Sequence, residues 1–230
     1  MAQRWLKVDL HIHTKEDPKD NITYDAYQLI VKAASLGFQA IAITNHNQIT
    51  ISPELKDFAE NHQVHLLPGA EISCEGRHVI IINPPFNLAG QKFTWSDLKE
   101  LKQNDSLIIA PHPYFPGFRS LFERLDYYHY LFDAIEFSAF YNRFFNPNKK
   151  AIEASLKYGK PLIACSDTHN LWQLGTSFTL VEAELSTQSI IQAIKKNRLK
   201  LACQPLPLVT MARIMINFLL ADKLHLPLHI

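Results

Sequence analysis

Short runs rich in β-branched and apolar residues recur along this 230-residue chain, separated by stretches whose apolar positions fall at helical spacing. The runs predict strands over Trp5–Leu10, Gln39–Thr44, His65–Pro68, His78–Ile82, Leu107–Ala110, Ala134–Phe137, Pro161–Ala164 and Phe178–Val181. Between the first two, Tyr27, Ile30, Val31 and Ala34 mark one face of a helix over Tyr24–Leu36, which Gly37 ends. Thr94, with Asp97 three residues on, predicts a capped helix over Trp95–Lys102. Asn146-Pro147 opens a helix that runs to Tyr158 and ends at Gly159. Ser186 caps a last one, which closes on Lys195 and Lys196.

The β-α-β-α alternation places the chain in the α/β class, with a parallel sheet and helical crossovers, either open or closed into a barrel. No repeat or linker divides residues 1–204. From Pro205 the pattern changes: Val209–Leu220 reads as a helix with only a narrow polar stripe (Thr210, Arg213, Asn217), followed by the apolar tail Leu224–Ile230. A helix apolar nearly all round packs against something, here the barrel or a second copy of the chain.

Composition changes this picture little. Apolar residues make up 47% and charged residues 20%, and the net charge is +1. That balance offers no electrostatic reason for a membrane partner and makes nucleic acid an unlikely one. Three separated cysteines with no Cys-x-x-Cys, no room for a leader before the first strand, and no apolar run near the ~20 residues of a bilayer span predict a cytoplasmic protein.

The chemistry lies at the strand ends. His11 and His13 close the first strand, and residues i and i+2 of a strand share a face, so both rings can aim at one point. His46 follows the second strand, Glu71 the third, His112 the fifth, and Asp167 and His169 the seventh, while His78 begins the fourth. Any one of these alone reads as an ordinary strand-end residue. Together they form a set, because strand C-terminal ends converge on the face where α/β proteins build sites. Six histidines and two carboxylates exceed the needs of one tetrahedral zinc ion. They suit two or three divalent cations, with zinc, manganese or iron compatible with nitrogen and oxygen ligands.

The blocks His-x-His, Thr-Asn-His, Gly-x-Glu, Pro-His-Pro and Ser-Asp-x-His resemble the PHP domain, named for polymerase and histidinol phosphatase, from about Leu6 to Val181. The resemblance implies a distorted (β/α)7 barrel with its metal centre at the C-terminal rim. It implies that His11, His13, Glu71 and Asp167 hold one metal, that Glu71 bridges to a second shared with His78 and His112, and that His46 and His169 hold a third. The family supplies one more ligand after the first pair. Asp17 and Asp20 are both candidates, with Asp20 the nearer by alignment. Asn45 stands where many members carry Asp, and reads as an orienting residue.

The softer candidates are Arg77, Arg119 and Arg143, which could grip phosphate bidentately, together with Asn170 and Glu136 near the rim. Asp9 faces away by alternation, and Cys165 reads as a buried strand residue. His62, His65, His129, His225 and His229 match no block. Clustered cations lower the pKa of a bound water, so phosphoester hydrolysis is expected, with Asp167, His169 and His46 nearest the reaction and a small phosphorylated metabolite or nucleotide as substrate. The rivals are a non-catalytic metal-binding module and an amidohydrolase-like metallohydrolase.

Overall fold

The computed structural model describes residues 4–88, 90–117, 119–212 and 214. Nine strands and six helices alternate along it: β1 (Arg4–Asp9), α1 (Ala26–Ser35), β2 (Ala40–Ile43), α2 (Pro53–Asn61), β3 (His65–Cys74), β4 (Arg77–Ile82), α3 (Asp97–Leu101), β5 (Leu107–Ala110), α4 (Arg124–Tyr128), β6 (Ala134–Phe137), α5 (Asn148–Tyr158), β7 (Leu162–Ala164), β8 (Ser177–Ala183), α6 (Thr187–Lys195) and β9 (Leu199–Cys203). The strands form one sheet in the order β7-β6-β5-β4-β3-β2-β1-β8-β9. It curls until β7 meets β8, where the Thr179 hydroxyl accepts from Ala164 N and donates to Ala164 O. The result is a nearly closed α/β barrel.

The side chains sort by the two-residue period of a strand. Leu6, Val8, Leu10, Ala40, Ala42, Ile80, Ile82, Leu107 and Ile109 fill the interior, which α6 plugs with Ile190, Ile191 and Ile194. Their neighbours Ile41 and Ile43 face α1 and α2, and Val79, Ile81, Ile108 and Ile135 face α3, α4 and α5. Each such Ile or Leu contributes about 1.5–3 kcal/mol by leaving water.

The sheet is not parallel throughout. β4 runs antiparallel to both β3 and β5, and β8 is antiparallel to β1 and β9. The reversal at β4 is made by a two-residue turn, Glu75 (φ 45°) and Gly76 (φ 80°), between the paired Cys74 and Arg77. Two positive φ values in a two-residue hairpin match the twist of the flanking strands. This turn brings the first residues of β4 to the rim where the parallel strands end.

Other elements differ in detail from the sequence pattern. α1 is capped by a reciprocal Asp25–Gln28 box and α6 by Ser186. Thr94 does not cap α3: its N–H and hydroxyl both donate to Asp97, and the helix begins only at Asp97. α2, opened by the Ser52 cap and Pro53, and the edge strand β9 were not expected. Of the C-terminal segment, Leu206, Met211 and Ile214 pack on Phe115 and Phe140. Most of the expected 209–220 helix, the tail, His225 and His229 lie outside the described residues.

Candidate metal centre

Backbone bonds beyond the strand ends fix the rim. His13 N donates to Thr168 O, Thr44 N to Ile12 O, and Asn47 N to Glu71 O. His112 (φ 28°) and Asp167 (φ 48°) sit in the left-handed region, a conformation that costs an L-residue about 1–2 kcal/mol. Both are pointed into the centre, and His112 is held there by its N–H, which donates to Glu136 Oε2 at 2.6 Å.

The fully buried Glu71 carboxylate is the hub. Its Oε1 lies 2.8 Å from His78 Nδ1, 3.4 Å from His112 Nε2 and 3.6 Å from His11 Nε2. Its Oε2 lies 3.1 Å from His46 Nε2 and 3.5 Å from His13 Nε2. Asp167 Oδ1 reaches His11 Nε2 at 3.3 Å, His169 Nδ1 at 3.5 Å and His13 Nε2 at 3.7 Å. Asp20 Oδ2 is 3.1 Å from His169 Nε2 and 3.3 Å from His46 Nδ1. The eight strand-end residues singled out from sequence therefore meet at one place.

Asp17 and Asp20 both arrive, by different routes. Asp17 is the inner of the two, with Oδ2 2.8 Å from His13 Nδ1 and 3.0 Å from His46 Nδ1, and it also accepts from His46 N. Asp20 stands further out, between His46 and His169. His13, Asp17, Asp20 and His46 together offer one group of donor atoms, one of several such overlapping groups at the rim.

The imidazoles are oriented from behind. Glu136 Oε1 lies 3.1 Å from His11 Nδ1, Asp17 holds His13 Nδ1, and Ser120 Oγ lies 3.4 Å from His112 Nδ1. A ring whose Nδ1 proton points at a carboxylate presents the Nε2 lone pair on its far side, which is how ligating histidines are prepared. His11 Nε2, His13 Nε2, His46 Nε2, His78 Nδ1 and Glu71 Oε1 are all buried without a hydrogen bond. Orphaned polar atoms are costly in a protein interior, and these five belong to overlapping groups of donor atoms that could hold a metal ion.

Charge follows the same geometry. Burial pushes the Glu71 and Asp167 carboxyls up, but His78 and His11 beside the first, and His11 and His169 beside the second, hold both below the usual range. Asp17 is likewise held low by hydrogen bonds from His13 and His46, against its burial. Burial pushes His46 and His169 down, yet the Asp17 and Glu71 carboxylates beside the first, and Asp20 and Asp167 beside the second, raise each to about 9. Burial carries His78 the other way, to about 4.

The remaining residues fall into place around this cluster. Asn45 accepts from Thr14 N and donates to the Thr14 and Thr50 hydroxyls, bracing the loop after His13. Asp9 accepts from His11 N and Ser166 N beneath the site, and burial pushes it up to about 7. Cys165 is buried, and its thiol is pushed up by that burial. His62 bonds Phe58 O, His65 bonds Thr187 and His129 stacks on Tyr158, all outside the centre.

Of the arginines, Arg119 reaches it, with Nη1 3.3 Å from His78 Nε2, while Arg77 donates to Ser120 O. Arg143 lies instead over the Phe144 ring, and Asn170 N donates to Gln173 beside His169. Lys19 was missed. Its ammonium donates to Ser73 Oγ close to Glu71, Asp17 and Asp20, and burial and Arg119 lower its pKa. Its place between two candidate acids was the available signal.

Residues 145–199 match the family described as PHP-associated. A two-domain protein from Bacteroides vulgatus, containing a predicted PHP-like metal-dependent phosphoesterase, superposes with a TM-score of 0.68 at 21% identity, over 88% of this chain. The fold is PHP-like. The chain spans 66% of that Bacteroides protein. An uncharacterised protein of Methanocaldococcus jannaschii is 29% identical over 140 residues, 52% of this chain and 75% of its own length.

Another PHP-like neighbour corrects an expectation. The lesion-specific endonuclease Q of Pyrococcus furiosus aligns with a TM-score of 0.60 at 18% identity, over 86% of this chain and 58% of its own. Endonuclease Q is also known in complex with a 27-mer duplex bearing an abasic lesion at its active site. The net charge of +1 was therefore no ground for regarding nucleic acid as an unlikely partner, because total charge does not register the local surface beside a site.

Proposed function

We propose that this chain is a metal-dependent phosphoester hydrolase whose centre holds two or three divalent ions. The reading rests on the buried Nε2 atoms of His11, His13 and His46, which carry no hydrogen bond and face the Glu71 carboxylate, the first at Oε1 and the other two at Oε2. The His11 and His13 rings are each anchored from behind by a carboxylate. His11, His13 and Asp167 would hold one ion, His78 and His112 a second with Glu71 between them, and His46, His169 and Asp20 a third. Nitrogen and carboxylate donors in this proportion fit zinc, manganese or iron.

When bound, such ions supply hydroxide near neutral pH and shield the phosphoryl oxygens. The chain's own residues do the rest. Glu71 and Asp167 keep the imidazoles converged, and Glu136 and Asp17 fix their tautomers. Lys19 and Arg119, the cations nearest the cluster, would meet phosphate oxygens that reach it. His46, Asp167 and His169 are the groups nearest the reacting phosphorus. His169 lies toward the open side and could pass a proton to the departing oxygen. The substrate would be a phosphorylated metabolite or a nucleotide, and three free cysteines fit a cytoplasmic setting.

The test combines metal analysis with turnover of p-nitrophenyl phosphate and its diester. At least two ions per chain are expected, with turnover that chelation removes and manganese, zinc or iron restores. Asp167→Asn and His13→Ala should abolish it. A folded, fully metallated protein inert toward a broad panel of phosphoesters would overturn the proposal. Turnover of amides or lactones instead would favour the amidohydrolase-like alternative.

A further inference from the structure

A cleft of about 560 Å³ lies between the loop after β5 and the loop from β6 to α5. Its walls carry Tyr114, Tyr141 and Phe144 together with Arg143, Lys149 and Lys150, and no carboxylate lines it. The cleft is tied to the centre through both walls. Tyr114 is two residues beyond His112, and the second loop begins just after Glu136, which holds His11 and His112.

Two features need an occupant. Phe144 is 67% exposed, a large aromatic left in water with Arg143 across its ring at 4.5 Å. The Phe144 and Phe145 N–H groups both donate to the buried Asn142 Oδ1, so the loop that presents Phe144 is built and held. Three cations thus share an aromatic-walled cleft whose lining carries no carboxylate. Flat rings take the face of a base, and unpaired cations take phosphate oxygens.

We propose that this cleft is a nucleotide subsite, stacking a nucleobase on Phe144 and gripping an adjoining phosphate with Arg143, Lys149 and Lys150, so that the neighbouring phosphoester reaches the metal centre. This deepens the phosphoesterase reading and rests on it for the last clause only. The same chemistry is offered by a free nucleotide and by a nucleic-acid strand, and the experiment separates them.

Binding to the chelated, metal-free protein is measured by titration with adenosine monophosphate, with ribose 5-phosphate, and with a labelled single-stranded thymidine hexanucleotide. The nucleotide should bind at least ten-fold more tightly than ribose 5-phosphate, and Phe144→Ala should remove most of that difference, as loss of a stacking platform does. Lys149→Ala with Lys150→Ala should weaken both and flatten the salt dependence. Leu156→Ala, on the exposed side of α5, should change neither. A hexanucleotide that binds ten-fold more tightly than the mononucleotide assigns the subsite to a strand, and equal affinity assigns it to a free nucleotide. Equal binding of adenosine monophosphate and ribose 5-phosphate, or an undiminished preference in Phe144→Ala, would overturn the inference. Because these titrations need no turnover, they stand apart from any failure to hydrolyse p-nitrophenyl phosphate.

Discussion

His78 Nδ1 lies 2.8 Å from Glu71 Oε1 although the two residues stand on strands that run in opposite directions. In the ladder His78 pairs with Ser73 and Glu71 with Ile80, so they are diagonal neighbours on one face. A slip of one residue in this hairpin would turn His78 away from the centre.

The turn that sets this register is therefore a lever on metal binding. Gly76→Val places a β-branched residue at φ 80° and should cost about 1–2 kcal/mol. A lower Tm accompanied by loss of one ion per chain in elemental analysis is expected. An unchanged metal content would uncouple hairpin from centre.

Glu136 touches no proposed substrate yet orients two ligands. Glu136→Gln replaces one carboxylate oxygen by an amide donor and removes the anion beside His11 Nδ1. Metal affinity should fall about ten- to a hundred-fold, the usual cost of losing a group behind a ligand, with the circular dichroism spectrum retained. Competition with a chromophoric chelator measures it.

Metal uptake should release protons. His46 and His169, raised to about 9, are protonated in the metal-free protein at pH 7.5, whereas His78, near 4, is already neutral. Ligation requires the neutral ring, and His11 is also held well above the ordinary histidine range, against its burial, by Asp167, Glu136 and Glu71. Loading all positions at pH 7.5 should therefore expel at least two protons. The number should decline as pH rises through 9. Calorimetry in buffers of different ionisation enthalpy reads it directly.

Lys19 and Arg119 should act on substrate binding more than on metal retention. Lys19→Ala and Arg119→Ala are each expected to lower kcat/KM for a phosphomonoester by about ten-fold, the order of one charge-assisted hydrogen bond. Metal content by elemental analysis should match the wild type. A variant that loses its metals instead would place that side chain among the supports of the ligands.

Much of the centre was legible because its residues close apolar runs. His11, His13, His46, His112, Asp167 and His169 each follow a strand, and parallel strands end at one rim; Glu71, expected just past the third strand, lies inside β3, which runs on to Cys74. Lys19 was hidden because a loop lysine between acids reads as a solvated charge until Ser73 and Glu71 are seen beside it. Arg143 was placed near the rim by the same logic, but its loop turns it onto Phe144.

Local periodicity fixed which segments become strands and helices and which side chains stand at their ends, since each depends on residues within a few positions. Strand direction at β4, the joining of β7 to β8 through Thr179, and the division of labour between Asp17 and Asp20 were decided only in three dimensions. These depend on which groups from distant parts of the chain share one buried space, and burial makes every unpaired charge or lone pair there answer to its neighbours.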